Sequence, residues 1–342
     1  LALSTNFGGP GVGIFGVRYN DQNKLDIRHT PGRYVGKTVD SHGQECLCMI
    51  LSTREQHIRR EKATSNICSN QSFLATLVGA SLLAKGEKGL KKSCKKSNES
   101  LRYFLDNVLN MKGIELKFQN SSMYNEATLD LNINIDELIR KGINNNLHIG
   151  VDVSNRYSHT GNLLLISFSD LQTTQDIDKL ISFFKGIFSE EKNCLTQTSF
   201  KIPDNLINSE DVDIPKIETN ELDLFYQSLG KMNVSPDDNI YPLGSCTMKY
   251  NPYINDHTAS LEGFTLSHPQ MPIQDAQGSL EILYEIQEQF KKITGLPGVT
   301  TQPVAGAQGE LVGIKMFQAY HADKNQIRDI VLIPKSAHGT NP

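Results

Sequence analysis

The stretch that decides the fold is Val304-Ala305-Gly306-Ala307-Gln308-Gly309-Glu310, which stands between two apolar segments, Val299 to Pro303 and Ile330 to Pro334. The order strand, glycine-rich turn, helix (Glu310 to Ala322) and strand predicts a parallel sheet with crossover helices. Small residues let backbone amides approach an anion, and the helix adds the positive end of its dipole. The segment therefore predicts a phosphate-binding turn, although a plain strand-to-helix turn also fits the local sequence.

A histidine follows the second apolar segment in Ser336-Ala337-His338-Gly339-Thr340-Asn341-Pro342. Open α/β sheets bind ligands at the carboxyl ends of their strands, and His338 is predicted there. A phosphate turn followed by an imidazole suggests half of a pyridoxal phosphate pocket, with a structural histidine as the alternative. The other half requires a lysine amine for the aldehyde, and no obvious lysine of that kind occurs before Pro342.

Composition and hydropathy argue against nucleic acid and membranes as partners. The net charge of −4 and the pI near 6.2 lack the basic excess that nucleic acid binding needs. The apolar runs are far shorter than the ~20 residues that span a bilayer, so an aqueous compartment is expected. The six cysteines show no repeated pair spacing, which argues against a disulfide framework and against a metal site. Cys46 and Cys48 are predicted to lie buried on one face of a strand.

The remaining sequence predicts further helices and strands. A hairpin is expected from Tyr34 to Leu51, and helices from Gln71 to Lys85 and from Lys88 to Asn110. Strands at 114–118, 128–133, 147–153 and 163–168, with helices at 135–143 and 176–188, form a compact α+β unit. Helices are also expected at 220–229 and at 278–294, the latter with Leu280, Leu283, Ile286, Phe290 and Ile293 facing inward. Lys91, Lys92, Lys95 and Lys96 are interpreted as a solvated face.

Three other motifs carry possible chemistry. Gly11-Val12-Gly13-Ile14-Phe15-Gly16 matches the dinucleotide pattern, but it does not open a helix, so this function is rejected. The basic segment that contains Arg54 and His57 is either a solvated helix or a carboxylate-binding surface. Ser245, Cys246 and Thr247 offer nucleophiles without a nearby histidine, which favours a polar lining role.

Several of these motifs, in this order, resemble the glycine cleavage system P-protein family. The long matching segments are REQHIRREKATSNIC (Arg54 to Cys68) and PLGSCTMKYNP (Pro242 to Pro252). Shorter matches are Gly8-Gly9-Pro10, Pro31-Gly32-Arg33, Pro203-Asp204-Asn205, His268-Pro269, Ala305 to Glu310 and Ser336 to Pro342. The resemblance therefore extends over nearly the whole chain.

The resemblance implies an α/β protein of the PLP-dependent transferase fold type I (aminotransferase-like). The family has two homologous halves, and here two partial halves flank a small α+β domain. Residues 1–110 would end the large domain of the first, non-catalytic half, and 111–190 would be its small carboxyl-terminal domain. Residues 191–218 would be a linker, and 219–342 would be the amino-terminal segment and the start of the second half's PLP-binding domain.

The resemblance also implies the activity of an oxidoreductase, glycine dehydrogenase (decarboxylating). Glycine would lose CO2, and its aminomethyl group would pass to the lipoyl arm of H-protein. Pyridoxal 5'-phosphate would bind Ala305, Gly306, Ala307, Gln308, Gly309, His338 and Thr340, with His338 stacked on its ring as the catalytic candidate. The residues lining the active site would be Ser245, Cys246, Thr247, Arg54 and His57. A homodimer or heterotetramer-type assembly is expected, in the cytoplasm or, in a eukaryote, in the mitochondrial matrix.

One family feature lacks a counterpart here. The lysine that carries the cofactor as a Schiff base stands in a His-Lys-Thr context, and neither Lys249 nor Lys335 matches that context. We therefore expect an isolated fragment without turnover that requires the remainder of the P-protein or a second subunit. Because the chain begins with Leu1 and ends at Pro342, inside a motif, both ends look cut. The alternative is a non-catalytic docking or interaction protein derived from the same family.

Overall fold

The computed structural model describes residues 11–13, 16–17, 20–26, 34–50, 70–156, 161–189, 204–207, 210–234, 239–240, 251–303 and 306–334. This part of the chain is a mixture of helices and antiparallel sheets. It divides into two compact units. Unit 1 comprises the described residues between 76 and 276, and unit 2 comprises the described residues of 11–75 and 277–342.

The longest helix, α1, extends from Asn70 to Val108 and contains a kink at Gly86. The two helices predicted at 71–85 and 88–110 are therefore confirmed, and they meet at this glycine. Its backbone (φ 59°, ψ 176°) is not helical and lies in a region that essentially only glycine occupies. The non-helical backbone of Gly86 therefore explains the kink in α1.

The α+β elements predicted after α1 are also confirmed, except that the strand predicted at 147–153 is reduced to two residues. They are β3 (Ile114–Leu116), β4 (Glu126–Leu131), α2 (Ile135–Asn144), β5 (Val151–Asp152), β6 (Leu163–Ser167) and α3 (Thr174–Lys185). A 3₁₀ turn at Ser154–Arg156 separates β5 from β6. The strands form one antiparallel sheet in the order β3-β4-β6-β5.

The register of this sheet sets the core of unit 1. Leu129 pairs with Leu116 and with Leu164, so all three side chains share one face. That face and the second half of α1 contribute to one buried cluster, which also includes Leu138 of α2 and Phe184 of α3. The ring of Phe184 lies 5.4 Å from that of Phe104 and 5.8 Å from that of Phe188. Aromatic contacts of this kind add to the stabilisation from apolar burial.

Local capping explains where the helices of this region begin. The side chain of Asn134 accepts a hydrogen bond from the amide of Glu137 at 3.1 Å, which caps α2. Thr173 and Asp176 form a reciprocal capping box at the start of α3. Both caps satisfy first-turn amides that have no acceptor within the helix.

The rest of unit 1, where it is described, consists of helices joined by irregular segments. It contains α4 (Thr219–Gly230), α5 (Tyr253–Ala259) and α6 (Glu262–Thr265), with 3₁₀ turns at Asp204–Leu206 and Ile273–Ala276. The helix predicted at 220–229 is therefore confirmed. Leu222 is the buried residue of α4.

Unit 2 contains a hairpin and two long helices. The predicted hairpin is confirmed as β1 (Tyr34–Val39) paired antiparallel with β2 (Glu45–Ile50). Asp40 closes its turn by accepting hydrogen bonds from the amides of His42 and Gln44. The prediction of buried thiols on β2 is wrong, because Cys48 is exposed and Cys46 is only partly buried. Gly11, Gly13 and Gly16 lie outside helices and strands.

The helices of unit 2 are α7 (Gln277–Thr294) and α8 (Gly306–Asp323). The prediction that one face of α7 points inward is wrong, since no residue of this helix is buried and Phe290 is 50% exposed. The strands predicted at 299–303 and 330–334 are also wrong: both segments are irregular, and Leu332 is 91% exposed. A strand requires hydrogen-bonded neighbours, and every strand pair in the described residues is antiparallel and lies elsewhere.

Candidate functional site

The predicted phosphate turn lies at the amino terminus of α8. We expected a turn from Ala305 to Gly309 and a helix from Glu310, but α8 already begins at Gly306. Gly306, Ala307, Gln308 and Gly309 therefore form the first turn of the helix. Amides in a first helical turn point along the axis, away from the helix body, so this correction keeps them suited to an anion.

Two properties of this first turn favour a negatively charged ligand. No acidic residue lies in the first turn of α8, so within this described helix no carboxylate already offsets the positive end of the dipole. In addition, a Cβ placed at Gly306 or Gly309 would meet no described atom outside the helix within 4 Å. A phosphate could therefore approach the backbone closely, and these residues fit the phosphate group of pyridoxal phosphate.

The other predicted site residues lie outside the described residues. These residues are Ala305, His338 and Thr340 from the cofactor-binding set, and Arg54, His57, Ser245, Cys246 and Thr247 from the lining set. The structure consequently brings together only Gly306 to Gly309, and the remaining positions stay predictions.

Unit 2 also contains an open groove of about 1010 Å³ along the second half of α8. Its walls are Ile314, Phe317 and His321 from the helix and the irregular segment 325–334. Most of these side chains are apolar, and many apolar side chains of α7, α8 and 327–333 are exposed. An exposed apolar surface of this extent is typical of a region that contacts other polypeptide.

Unit 1 contains a smaller cleft of about 500 Å³ beside the sheet edge formed by β5 and β6. Residues 266–272 close one side, and His148 lies at its border, with its Nε2 atom 3.6 Å from a carboxylate oxygen of Asp275. The polar side chains Gln172 and Asp176 already serve Ser169 and Thr173 as hydrogen-bond acceptors. The lining also contains other polar side chains, among them Glu126 and His268, so the cleft combines polar and apolar groups.

Sequence reasoning missed a charged network on α1, where Lys91 was assigned to a solvated face. Its Nζ lies 2.6 Å from Glu87 and 2.9 Å from Asp211. The hydrogen bond from Lys91 holds the pKa of Glu87 below its usual value, and the same ammonium lowers the pKa of Asp211. The i, i+4 spacing of Glu87 and Lys91 was a readable signal, whereas the contact with Asp211, 120 residues away, was not.

The described residues contain neither a membrane-spanning helix nor a candidate metal site. No helix in the described ranges has the length and apolar character needed to cross a membrane. Among the same residues, no group of three or more histidine, cysteine, aspartate or glutamate side chains could hold a metal ion.

Curated proteins that are similar to this chain share the name glycine dehydrogenase (decarboxylating). Glycine dehydrogenase (decarboxylating) of Flavobacterium johnsoniae is 33% identical over 350 residues, covering 100% of this chain and 35% of that protein. The Pelagibacter ubique protein of the same name is 32% identical with the same coverages. The mitochondrial protein from Mus musculus is 32% identical, covering 100% of this chain and 33% of its own length.

A solved structure of glycine decarboxylase (P-protein) of the glycine cleavage system, in inhibitor-bound form, is 31% identical. It covers 48% of this chain and 37% of its own, with a TM-score of 0.43. The chain spans about a third of the length of the curated relatives it matches. The family model of the glycine cleavage system P-protein matches residues 1–184, which is more than half of the 342 residues, and the chain belongs to that family.

Proposed function

We propose that this chain supplies part of a pyridoxal phosphate-dependent glycine decarboxylase, glycine dehydrogenase (decarboxylating). The observation that carries this proposal is identity of 32–33% to such enzymes along the entire chain. The open first turn of α8 supports it, because a helix amino terminus without acidic residues lies where the sequence places the phosphate-binding motif. The substrate would be glycine, and the products would be CO2 and an aminomethyl group carried by the lipoyl arm of H-protein.

In this proposal the chain contains parts of two halves of the PLP-dependent transferase fold type I. Residues 1–110 end the large domain of the first half, and 111–190 form its small domain. Residues 191–218 are the linker, and 219–342 begin the second half. The four-stranded sheet with α2 and α3 supports the assignment of the small domain.

Each proposed site residue has a physical role. The amides of Gly306 and Ala307 would hold the phosphate group with the helix dipole, together with Ala305, Gln308 and Gly309. His338 would lie against the aromatic ring and Thr340 beside it, while Ser245, Cys246, Thr247, Arg54 and His57 would line the substrate space. When bound, the pyridine ring of the cofactor supplies an electron sink for the charge that decarboxylation leaves.

The anion site can be tested by equilibrium dialysis of the chain with pyridoxal phosphate and with pyridoxal, which lacks the phosphate. We expect retention of the phosphorylated compound only. Gly306→Asp should weaken retention about tenfold or more, because a carboxylate would occupy the positive end of the helix dipole. Gly278→Asp is the matched control, since it adds the same charge to the open first turn of α7, which is also 18 residues long.

Three outcomes of this experiment contradict the phosphate site. They are equal retention of the two compounds, no retention of either, or equal weakening by Gly306→Asp and Gly278→Asp. Turnover is a separate question, because we propose that the chain alone lacks the Schiff-base lysine and is inactive. Clear exchange of bicarbonate with the carboxyl group of glycine, measured with the isolated chain and H-protein, would contradict this part of the proposal.

A second candidate function is a non-catalytic docking protein of the same family. The exposed apolar side chains of α7, α8 and 327–333 favour it, because they provide a surface for further polypeptide. The partner would be lipoylated H-protein, the remainder of the P-protein or a second subunit, in a homodimer or heterotetramer-type assembly. Mixing the chain with the second-half polypeptide of a P-protein separates the two candidates: glycine decarboxylation by the mixture supports the enzyme, and a stable inactive complex supports docking.

The proposed compartment is aqueous, either the cytoplasm or the mitochondrial matrix of a eukaryote. The relatives from Mus musculus and Pisum sativum are named as mitochondrial proteins. Fractionation of the source cells, followed by immunodetection of the chain, tests this assignment.

A further inference from the structure

A segment that the sequence predicts only as linker is attached to the kink of α1. We call residues 211–217 the strap. The amide of Glu87 donates to the carbonyl oxygen of Ile214 at 3.1 Å, and the amide of Ile217 donates to that of Leu83 at 2.9 Å. These two backbone hydrogen bonds lie on either side of Gly86, where the kink provides backbone groups that a continuous helix would use internally.

The carboxylate of Glu87 adds a second set of contacts with the strap. It accepts hydrogen bonds from the amides of Val212 at 3.3 Å and Asp213 at 3.0 Å. Lys91 joins the same carboxylate to Asp211. The side chain of Glu87 is only 16% exposed, whereas that of Asp211 is 84% exposed. Glu87 is thus the inner member of the network, and Asp211 contributes less because water screens its charge.

Gly86 makes this close approach possible. A Cβ at this position would lie 2.8 Å from the Cβ of Lys216 and 3.0 Å from its Cα. Contacts this short require the strap to move, since the Cα belongs to its backbone. The positive φ of Gly86 penalises any side chain independently of space. Position 86 is therefore restricted to glycine by both conformation and contact.

The strap leads directly into α4, which lies beside the first half of α1. Leu222 is buried, and the hydroxyl oxygen of Tyr226 lies 3.8 Å from where a Cβ at Gly79 would stand. One buried residue in a helix of 12 residues provides little apolar stabilisation for the docked position. The position of α4 consequently depends on how firmly the preceding strap is held.

We propose that Gly86, Glu87 and Lys91 form a latch that holds the strap and, through it, docks α4 against α1. When the latch is opened, the strap and α4 are released together while the core of the four-stranded sheet stays folded. The latch belongs to the described fold of unit 1, so this inference holds whether or not the chain takes part in glycine decarboxylation.

Hydrogen exchange measured by mass spectrometry on the full chain tests the latch. Glu87→Gln removes the charge that binds Lys91 and weakens acceptance from two amides. We expect exchange in both 211–217 and α4 to rise by about tenfold or more, with β4 and β6 unchanged. The matched control is Glu99→Gln, which removes an exposed i, i+4 pair with Lys95 on the same helix and should leave both segments unchanged.

The proposal is overturned if exchange in the strap is the same in Glu87→Gln and in the unsubstituted chain. Release of the strap with α4 still protected overturns the coupling between them. Should Glu87→Gln fail to fold, the milder Lys91→Gln replaces it, because Glu87 then keeps its hydrogen bonds from the two strap amides. That variant must raise exchange in the same two segments, and its failure to do so also overturns the latch.

Discussion

The two units differ in what their apolar side chains contact. In unit 1, apolar residues of the sheet, α1, α2 and α3 form one cluster with Phe104 and Phe184 fully buried. In unit 2, α7 and α8 are equally regular helices of 18 residues, yet neither contains a buried residue. A periodic apolar pattern is therefore sufficient to predict a helix, but it does not show what covers the apolar face.

The largest effect that would sharpen this comparison comes from removing a phenylalanine in each unit. Phe184→Ala leaves a cavity among Phe104, Phe183 and Phe188 and should lower the free energy of unfolding by about 3–5 kcal/mol. Phe290→Ala in α7, where this side chain is half-exposed, should change the free energy of unfolding by less than about 1 kcal/mol. Urea denaturation of both variants measures the difference. Equal losses would contradict the assignment of the core to unit 1.

A second comparison uses one glycine from each unit. Gly86→Ala places a side chain in a conformation and a contact that exclude it, so a loss of about 1–3 kcal/mol is expected. Gly313→Ala in α8 meets no described atom within 4 Å and should stabilise that helix by about 0.5–1 kcal/mol. A lower melting temperature for Gly86→Ala and a higher one for Gly313→Ala in thermal unfolding would confirm both expectations. A stabilising Gly86→Ala would show that the strap does not approach α1 as closely as described.

The sequence predicted those helices and strands whose apolar spacing and capping residues lie within the element itself. The hairpin, both parts of α1, and the strands and helices of the small sheet follow from apolar spacing and from caps such as Thr173. The strands at 299–303 and 330–334 failed because strand formation depends on neighbours, which their own residues do not specify. The contact of Lys91 with Asp211 was missed because it joins residues 120 positions apart.

The same distinction applies to the candidate site. The prediction of an anion-binding turn rests on the small residues at 305–309, and residues 306–309 form the first turn of α8. The sequence placed the start of the helix too late, because the glycines at 306 and 309 suggested a turn. Glycine is a poor helix former in isolation, but this preference of about 1 kcal/mol is readily outweighed by the surrounding structure.

The capping box of α3 should have a moderate effect, and only within unit 1. Thr173→Ala removes the acceptor for the amide of Asp176 and one donor to its carboxylate, so a loss of about 1 kcal/mol is expected. Thr265→Ala is the control, because that hydroxyl bonds the carbonyl oxygen of Leu261 at an exposed site and caps no amide. Denaturant titration measures the free energy of unfolding of the two variants. An equal loss in both would contradict a stabilising role for the capping box.

The smallest effect is a pH dependence confined to the strap. The pKa of Glu87 is lowered from 4.5, first by the hydrogen bond from Lys91, so the charged form is favoured in the folded state. A depressed carboxyl pKa contributes stability that is fully present above 4.5 and is lost as the pH falls through the folded value below it. The charged groups around it are Lys91, whose pKa is raised, and Asp211, whose pKa is also lowered.

Acidification below 4.5 should therefore raise exchange in residues 211–217, after correction for the intrinsic exchange rate, before it raises exchange in β4 or β6. In Glu87→Gln this pH-dependent increase should be nearly absent, because Asp211 is exposed and contributes little by itself. A pH response of the strap that persists unchanged in Glu87→Gln would assign it to another carboxylate. A response shared equally by strap and sheet would mean that the latch and the core of unit 1 open as one cooperative body.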